Sequence, residues 1–497
     1  MRVKLAGFNI DADILRRLGP GRGPHLTPET LSAAYARISR SPLAIDQLRK
    51  KACQDVEKAR KSNQKIIFAM GHHSVAEHAV FNFDVMGVSR LALEEIERFR
   101  LASYTEKSQR YVTLEGDLVF PRELRAPEEK KLFQAIVDKQ NRFYFKAFEK
   151  LNQRLQRRHR EIARNTAGQR LVEGWAKEDA RYILSLATSG QVGITVNARS
   201  LEHMFRCWRL SPREEVRRLA GKLHALVLPI APSLILFPEP SDFDREAFAA
   251  IDAHFARSIV PTRSPGGGDL EIVAASGSGD DAILAARLCA GGNLDHARAL
   301  ALVKKCGPAR KKALLKEFFR KIQFFSAMPR EFEMADITFQ AVVSASSFAQ
   351  LKRHRMATLL AAAYSPELGF TLPASIRDAG LGKEFHAIIH ATDDAYRRLR
   401  ETGGAAADYL LTNAHRRRVL MKMNLREIYH FVRLRDDAHA QWDIRELAHA
   451  LAAKVKRIMP LTAMMLCGKS RFAEEYGAIF STPPAGAVPE PSPGQEI

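Results

Sequence analysis

Two Arg-x-Arg elements, Arg98-Phe99-Arg100 and Arg353-His354-Arg355, stand 255 residues apart, each at the end of a stretch with helical spacing. The first is framed by polar groups. HHSVAEH upstream supplies His72, His73, Ser74, Glu77 and His78, and a polar run downstream supplies Glu106, Ser108, Arg110 and Tyr111. Cations, a carboxylate and a hydroxyl within one segment suit an anionic heterocyclic ligand. Guanidinium forks take phosphate, and a carboxylate with backbone takes the base or sugar. The three histidines lack the HExxH spacing that puts two imidazoles on one helix face, so no metal site is expected. Plainer roles exist for the same residues. Arg98 and Arg100 could answer a helix dipole, Ser108 could be a loop hydroxyl, His78 a core group, and Asn197 and Asn424 helix caps. Trp442 and Phe431 read as core.

The elements that must hold these groups come in two sets. AVFNFDV (79–85) alternates apolar and polar as a half-buried strand does, and GVSRLALEEIERFRLASY after it reads as helix. DITFQAV (336–342) and SASSFAQLKRHRMATLLAAAY repeat that order. A second matched pair follows: NARSLEHMFRCWRL from Asn197 and NLREIYHFVRLR from Asn424, 227 residues apart. Two matched segments in the same order indicate duplication. Long helical stretches at 128–164 and 445–456 with a few strands make each half α+β, helices on a small sheet. The expected domains are 1–257 and 269–475, with a Gly/Pro/Ser linker at 258–268. Residues 476–497 form a tail, Pro-rich from Thr482 and expected to be disordered.

The chain has 497 residues, 46% apolar and 27% charged, which excludes wholesale disorder and low-complexity polymers. The five cysteines form no CxxC pair, against a disulfide framework and in favour of a reducing, cytoplasmic setting. No apolar run reaches the roughly 18 residues of a membrane span. The N-terminus is charged too early for a signal peptide. A net charge of +21 attracts nucleotides, phosphorylated cofactors or nucleic acid alike. No RRM, KH or zinc-finger pattern accompanies it, so nucleic acid is not the expected partner.

The motifs resemble the flavin-dependent thymidylate synthases, whose signature is Arg-His-Arg, seven residues, then Ser. Here Arg98-Phe99-Arg100 is followed by LASYTEK and Ser108, with HxSxxEH before and SxRYV after. NLREIYHFVRLRDDAHAQWDIR (424–445) is similar to the family's C-terminal helix. The resemblance spans about 30–240 and 270–470. It implies methylation of dUMP to dTMP with methylenetetrahydrofolate and NAD(P)H as co-substrates, FAD as hydride carrier, and no enzyme nucleophile on the pyrimidine. It implies Gln350, Arg353, Glu106, Ser108, Arg110, Arg181 and Arg435 around dUMP, with Arg435, Arg353 and Ser108 in catalysis. It also implies Ser74, Glu77, Arg98, Arg100, Asn197, Arg199, His354, Arg355, Asn424, Arg426, His430 and His439 around FAD. The family's homotetramer, with sites between subunits, would here become a homodimer.

Each half departs from the signature where the other keeps it. The first has Phe99 for the family His and Glu95 for the family Gln, and CWRLSPREEVRR lacks the Ala-Gln-Trp run, so Arg209 has no secure alignment. It keeps Glu106, Ser108, Arg110 and Arg181. The second has Ala363 for the Ser, Ala361 and Ser365 in its loop, and Asp408 near the counterpart of Arg181, but keeps Gln350, Arg353, His354, Arg355 and Arg435. One composite site drawing on both halves is therefore expected. The alternative is a degenerate paralogue that binds flavin or nucleotide without methylating dUMP.

Overall fold

The structure is a computed structural model and describes residues 1–13, 26–109, 117–255 and 269–484. Arg110, Tyr111 and the linker at 258–268 lie outside them. The described chain is α+β with two four-stranded antiparallel sheets. The first contains β1 (Arg2–Phe8), β2 (Val80–Ser89), β3 (Ala102–Glu106) and β4 (Ser189–Asn197), in the order β1-β2-β4-β3. The second contains β5 (Leu270–Ala275), β6 (Asp336–Ser344), β7 (Thr358–Ala361) and β8 (Arg416–Asn424), in the order β5-β6-β8-β7. The registers repeat as well: Val80 faces Asn197 in one sheet and Asp336 faces Asn424 in the other. The helices that bear on the site are α1 (Arg90–Ile96), α2 (Pro127–Arg158), α3 (Thr166–Ala180), α4 (Ala198–Arg209), α5 (Glu214–Val227), α6 (Ala345–Leu351), α7 (Gly382–Gly403), α8 (Leu425–Arg435), α9 (Trp442–Ile458) and α10 (Phe472–Phe480).

Two compact units result, and neither is one half of the sequence. Unit 1 comprises 1–142, 184–261 and 387–411; unit 2 comprises 143–183, 262–386 and 412–497. The cuts at 142 and 386 fall inside α2 and α7. Residues 143–183 thus join the second sheet and 387–411 the first. Hydrogen bonds inside each unit show why. In unit 1 the Ser89 hydroxyl, which caps α1, donates to Glu215 at 2.7 Å, and the Tyr409 hydroxyl donates to the same carboxylate at 2.9 Å. In unit 2 the Ser344 hydroxyl, which caps α6, donates to Asp443 at 2.5 Å, and the Tyr182 hydroxyl donates to it at 2.8 Å. Each carboxylate is satisfied by a tyrosine from the other half of the sequence, so its segment belongs with that sheet.

Each core lies between a sheet and its helices. In unit 1, Phe81, Phe83 and Val85 of β2 pack with Leu201, Phe205 and Trp208 of α4 and Leu219 and Leu223 of α5. In unit 2, Ile337, Phe339 and Ala341 of β6 pack with Ile428, Phe431 and Val432 of α8 and Leu451 and Val455 of α9. The strand alternation predicted from sequence holds in both.

Two helical readings are corrected. Periodicity predicts helix over 87–104, yet α1 ends at Ile96 and Ala102–Glu106 pairs with β4; likewise α6 ends at Leu351 and Thr358–Ala361 pairs with β8. The open edges of β4 and β8 carry backbone donors and acceptors that need partners, and strand pairing supplies them where helix could not. Arg98 and Arg100, and Arg353 and Arg355, therefore sit in turns beyond the helices, and a helical wheel does not describe their directions. Residues 476–480, grouped with the tail on composition, complete α10. Buried Tyr476 lies there against Phe480, and its hydroxyl donates to the Arg320 carbonyl at 2.5 Å.

Candidate functional site

In unit 2 the end of α6, the turn after it and the last turn of α8 converge. Gln350 on α6 is buried. Its Oε1 accepts from Arg435 Nη1 at 3.3 Å, and its carbonyl accepts from Arg435 Nη2 at 3.4 Å. Arg435 Nε donates to His354 Nε2 at 3.0 Å, and His354 Nδ1 faces Glu427 Oε1 at 3.2 Å. The His354 ring is buried against Phe431, with ring centres 4.8 Å apart. The partners set the tautomer: Nε2 accepts from a guanidinium, so Nδ1 carries the hydrogen and donates to Glu427. Two side chains and one backbone carbonyl thus fix the Arg435 fork in one orientation. Gln350 Nε2, by contrast, is a buried donor without a hydrogen-bond partner among the described residues.

Arg181, at the end of α3, joins this group from the first half of the sequence. It is buried, its Nη2 donates to Ser346 Oγ at 2.9 Å, and its carbonyl accepts from Asn413 Nδ2 at 3.0 Å. Ser346 and Gln350 are four residues apart on α6, so they are neighbours on one face, and Arg181 lies one turn from Gln350. Arg353 and Arg355 flank His354 and are exposed, as is His430, whose ring centre is 5.7 Å from that of His354. The arrangement offers two held guanidinium forks, one unsatisfied amide donor and exposed cations, which is the chemistry for a planar carbonyl-bearing base with a phosphate.

Burial holds the His354 pKa below its usual 6.5 against the pull of Glu427, and Arg435 adds to the lowering. The unfolded chain therefore takes up the proton first as pH falls. Stability tied to the neutral ring is present above about pH 6.5 and is lost as pH falls from there through the folded value. Urea midpoints measured from about pH 8 down to about pH 5 should fall, and fall less in His354→Gln. An equal slope in the variant would remove His354 from the network.

Unit 1 carries the same frame with other side chains. Trp208 stands 11 residues after Asn197, as Arg435 does after Asn424. Trp208 Nε1 donates to the Glu95 carbonyl at 3.3 Å, the place of the Arg435 bond to the Gln350 carbonyl. Phe99, at the His354 position, packs edge-on against Trp208 and His203, at 5.7 and 5.6 Å. Arg213, from the turn before α5, forms ion pairs with Glu95 and with Asp408, the latter at 2.8 Å. Arg209, the residue without a secure alignment, pairs instead with Glu239.

The other predicted residues divide clearly. Glu77 pairs with Arg199 at 2.5 Å in unit 1, and Arg426 pairs with Glu333 at 2.7 Å in unit 2. Asn197 and Asn424 cap α4 and α8 through their side-chain oxygens. Ser74 is exposed in the turn His73–His78, and exposed His439 bonds Asp437 at 2.9 Å. Glu106 ends β3 and Ser108 follows it, both in unit 1. Arg98 lies over the Phe99 ring, 5.1 Å from its centre, and Arg100 is exposed. His73 and His78 meet Phe237 and Tyr35.

The family described as Thymidylate synthase complementing protein, Thy1, matches residues 24–233 and again 271–461. The chain belongs to the Thy1 family. It carries two Thy1 regions in tandem, in agreement with the repeated sheet. It is similar to the flavin-dependent thymidylate synthase of Geobacter sulfurreducens, 33% identical over 42% of this chain and 80% of that protein. It is also similar to the one from Clostridium tetani, 31% identical over 43% and 83%. Each such relative corresponds to less than half of this chain. The UPF0159 protein Ta1429 of Thermoplasma acidophilum is 23% identical over 80% of this chain and 87% of its own length.

Against the Thy1 signature, sequence reading missed Trp208 and Arg213. Counting from the two capping asparagines finds Trp208. Arg213 follows a shortened connection and carries no motif. Ser346, Asn413 and Glu427 have no family signal in this reading, since their roles come from where Arg181 and His354 fold. No helix among the described residues is long and apolar enough to cross a membrane.

Proposed function

We propose that the chain converts dUMP to dTMP, and that the nucleotide binds in unit 2 at Gln350, Arg353, Arg435 and Arg181. The observation that carries this reading is the buried, unpartnered Nε2 of Gln350 beside the Arg435 fork, one helical turn from Arg181. A uracil carbonyl satisfies the amide donor, and Arg181 meets the phosphate. Arg435 faces the pyrimidine and stabilises the negative charge that develops on the ring as its carbon attacks the one-carbon unit of methylenetetrahydrofolate. No protein nucleophile is needed, because a preorganised cation in a water-poor site lowers the cost of that charge. His354 and Glu427 act by holding Arg435, both ring nitrogens of His354 being engaged.

A flavin fits the same edge of unit 2. Exposed Arg353, Arg355 and His430 gather cations and ring N–H groups, the donor set for the two phosphates of FAD. Bound FAD supplies hydride transfer, with electrons from NAD(P)H. Arg199 and Arg426 serve mainly to tie the turns that carry Glu77 and Glu333 to α4 and α8.

A second reading, binding without methylation, is favoured by Phe99, Trp208 and Glu95 in unit 1. One assay separates the two. Protein loaded with FAD and given dUMP, methylenetetrahydrofolate and NADPH should form dTMP. A yellow protein that binds dUMP but forms none would establish the second reading.

A further inference from the structure

The two units share their scaffold pairs and differ where a ligand would lie. The Glu77–Arg199 pair matches Glu333–Arg426, and Ser89–Glu215–Tyr409 matches Ser344–Asp443–Tyr182. Glu95, Phe99, Trp208 and Asp408 instead replace Gln350, His354, Arg435 and Arg181. Charge is reversed at the last position. Unit 2 offers the guanidinium of Arg181, whereas unit 1 offers the carboxylate of Asp408. That carboxylate is buried, paired with Arg213 at 2.8 Å and with Arg400 at 3.3 Å, while Arg213 also binds Glu95. Burial works against the Arg213 charge, but Glu95 and Asp408 outweigh it and raise the pKa. A phosphate entering here would meet two carboxylates and a cation already neutralised.

We propose that unit 1 holds a sealed counterpart of the nucleotide clamp, in which the protein's own Asp408 neutralises Arg213 and Arg400 and excludes nucleoside monophosphates. This rests on the functional reading only in placing the nucleotide in unit 2. Asp408 is then a specificity-determining residue: it restricts each chain to one nucleotide, and its removal creates a need for an anion.

Equilibrium dialysis of the full chain with labelled dUMP should give one nucleotide per chain. Two per chain would overturn the proposal. Asp408→Asn removes the charge with little change of shape. Its thermal midpoint should fall by roughly 5–10 °C in phosphate-free buffer and recover by several degrees in inorganic phosphate, a larger response than unit 2 gives the wild type. An equal phosphate response in both proteins, or none in either, would overturn the proposal. If Asp408→Asn does not fold without phosphate, refolding that depends on phosphate supports the proposal, and failure to refold in phosphate counts against it. Absence of any dUMP binding would defeat the functional reading, and the phosphate comparison would still decide the role of Asp408.

Discussion

Arg435→Ala should lower dTMP formation by about 10²- to 10³-fold or more, the range expected when a preorganised donor to a developing oxyanion is lost. The change removes a fork that three groups hold in place. It leaves Gln350 Oε1 and His354 Nε2 without their donor in a buried site, so some stability goes as well. Arg435→Lys keeps the charge and separates the two effects. A lysine ammonium cannot reach Gln350 and His354 together with the same geometry. The lysine variant should therefore fold with a midpoint near the wild type and still turn over slowly. Steady-state rates with denaturation midpoints check this. A lysine variant at wild-type rate would show that the site needs positive charge there but no fork.

Arg181→Ala should weaken dUMP binding by roughly 10- to 100-fold, the worth of a hydrogen-bonded charge. The largest effect should appear at low dUMP. Arg181 is placed to meet the phosphate, away from the reacting carbon, so the loss should appear mainly in KM and less in kcat. Deoxyuridine, which lacks the phosphate, should lose little between wild type and variant. A kcat loss equal to the KM change would place Arg181 at the chemistry. A variant with unchanged KM would remove it from the site.

Much of this was legible in the chain itself. Alternation at Phe81–Val85 and Ile337–Ala341 gave the two central strands, and the capping asparagines gave the starts of α4 and α8. The grouping of Gln350, His354 and Arg435 was legible because these three residues keep the family pattern. Less visible were features that depend on distant backbone. The segments at 102–106 and 358–361 look helical locally, yet neighbouring strand edges claim them. Arg181 reads as a residue of the first domain, but Tyr182 beside it satisfies Asp443, and Ser346 and Asn413 hold Arg181 in unit 2. Asp408 crosses the other way beside Tyr409. A sequence shows that one half has lost what the other retains. It does not show which sheet each survivor joins, because that is decided by buried hydrogen bonds between residues more than 150 positions apart.

The most direct measurement is a double-mutant cycle for dUMP affinity. Flavin absorbance changes report binding in the wild type, Arg181→Ala, Arg435→Ala and the double variant. If both arginines grip one nucleotide, each single change weakens dUMP binding strongly and the double variant loses close to the product of the two, as contacts to opposite ends of one ligand do. Binding of dUMP by either single variant that matches the wild type would mean that Arg181 and Arg435 do not share a ligand.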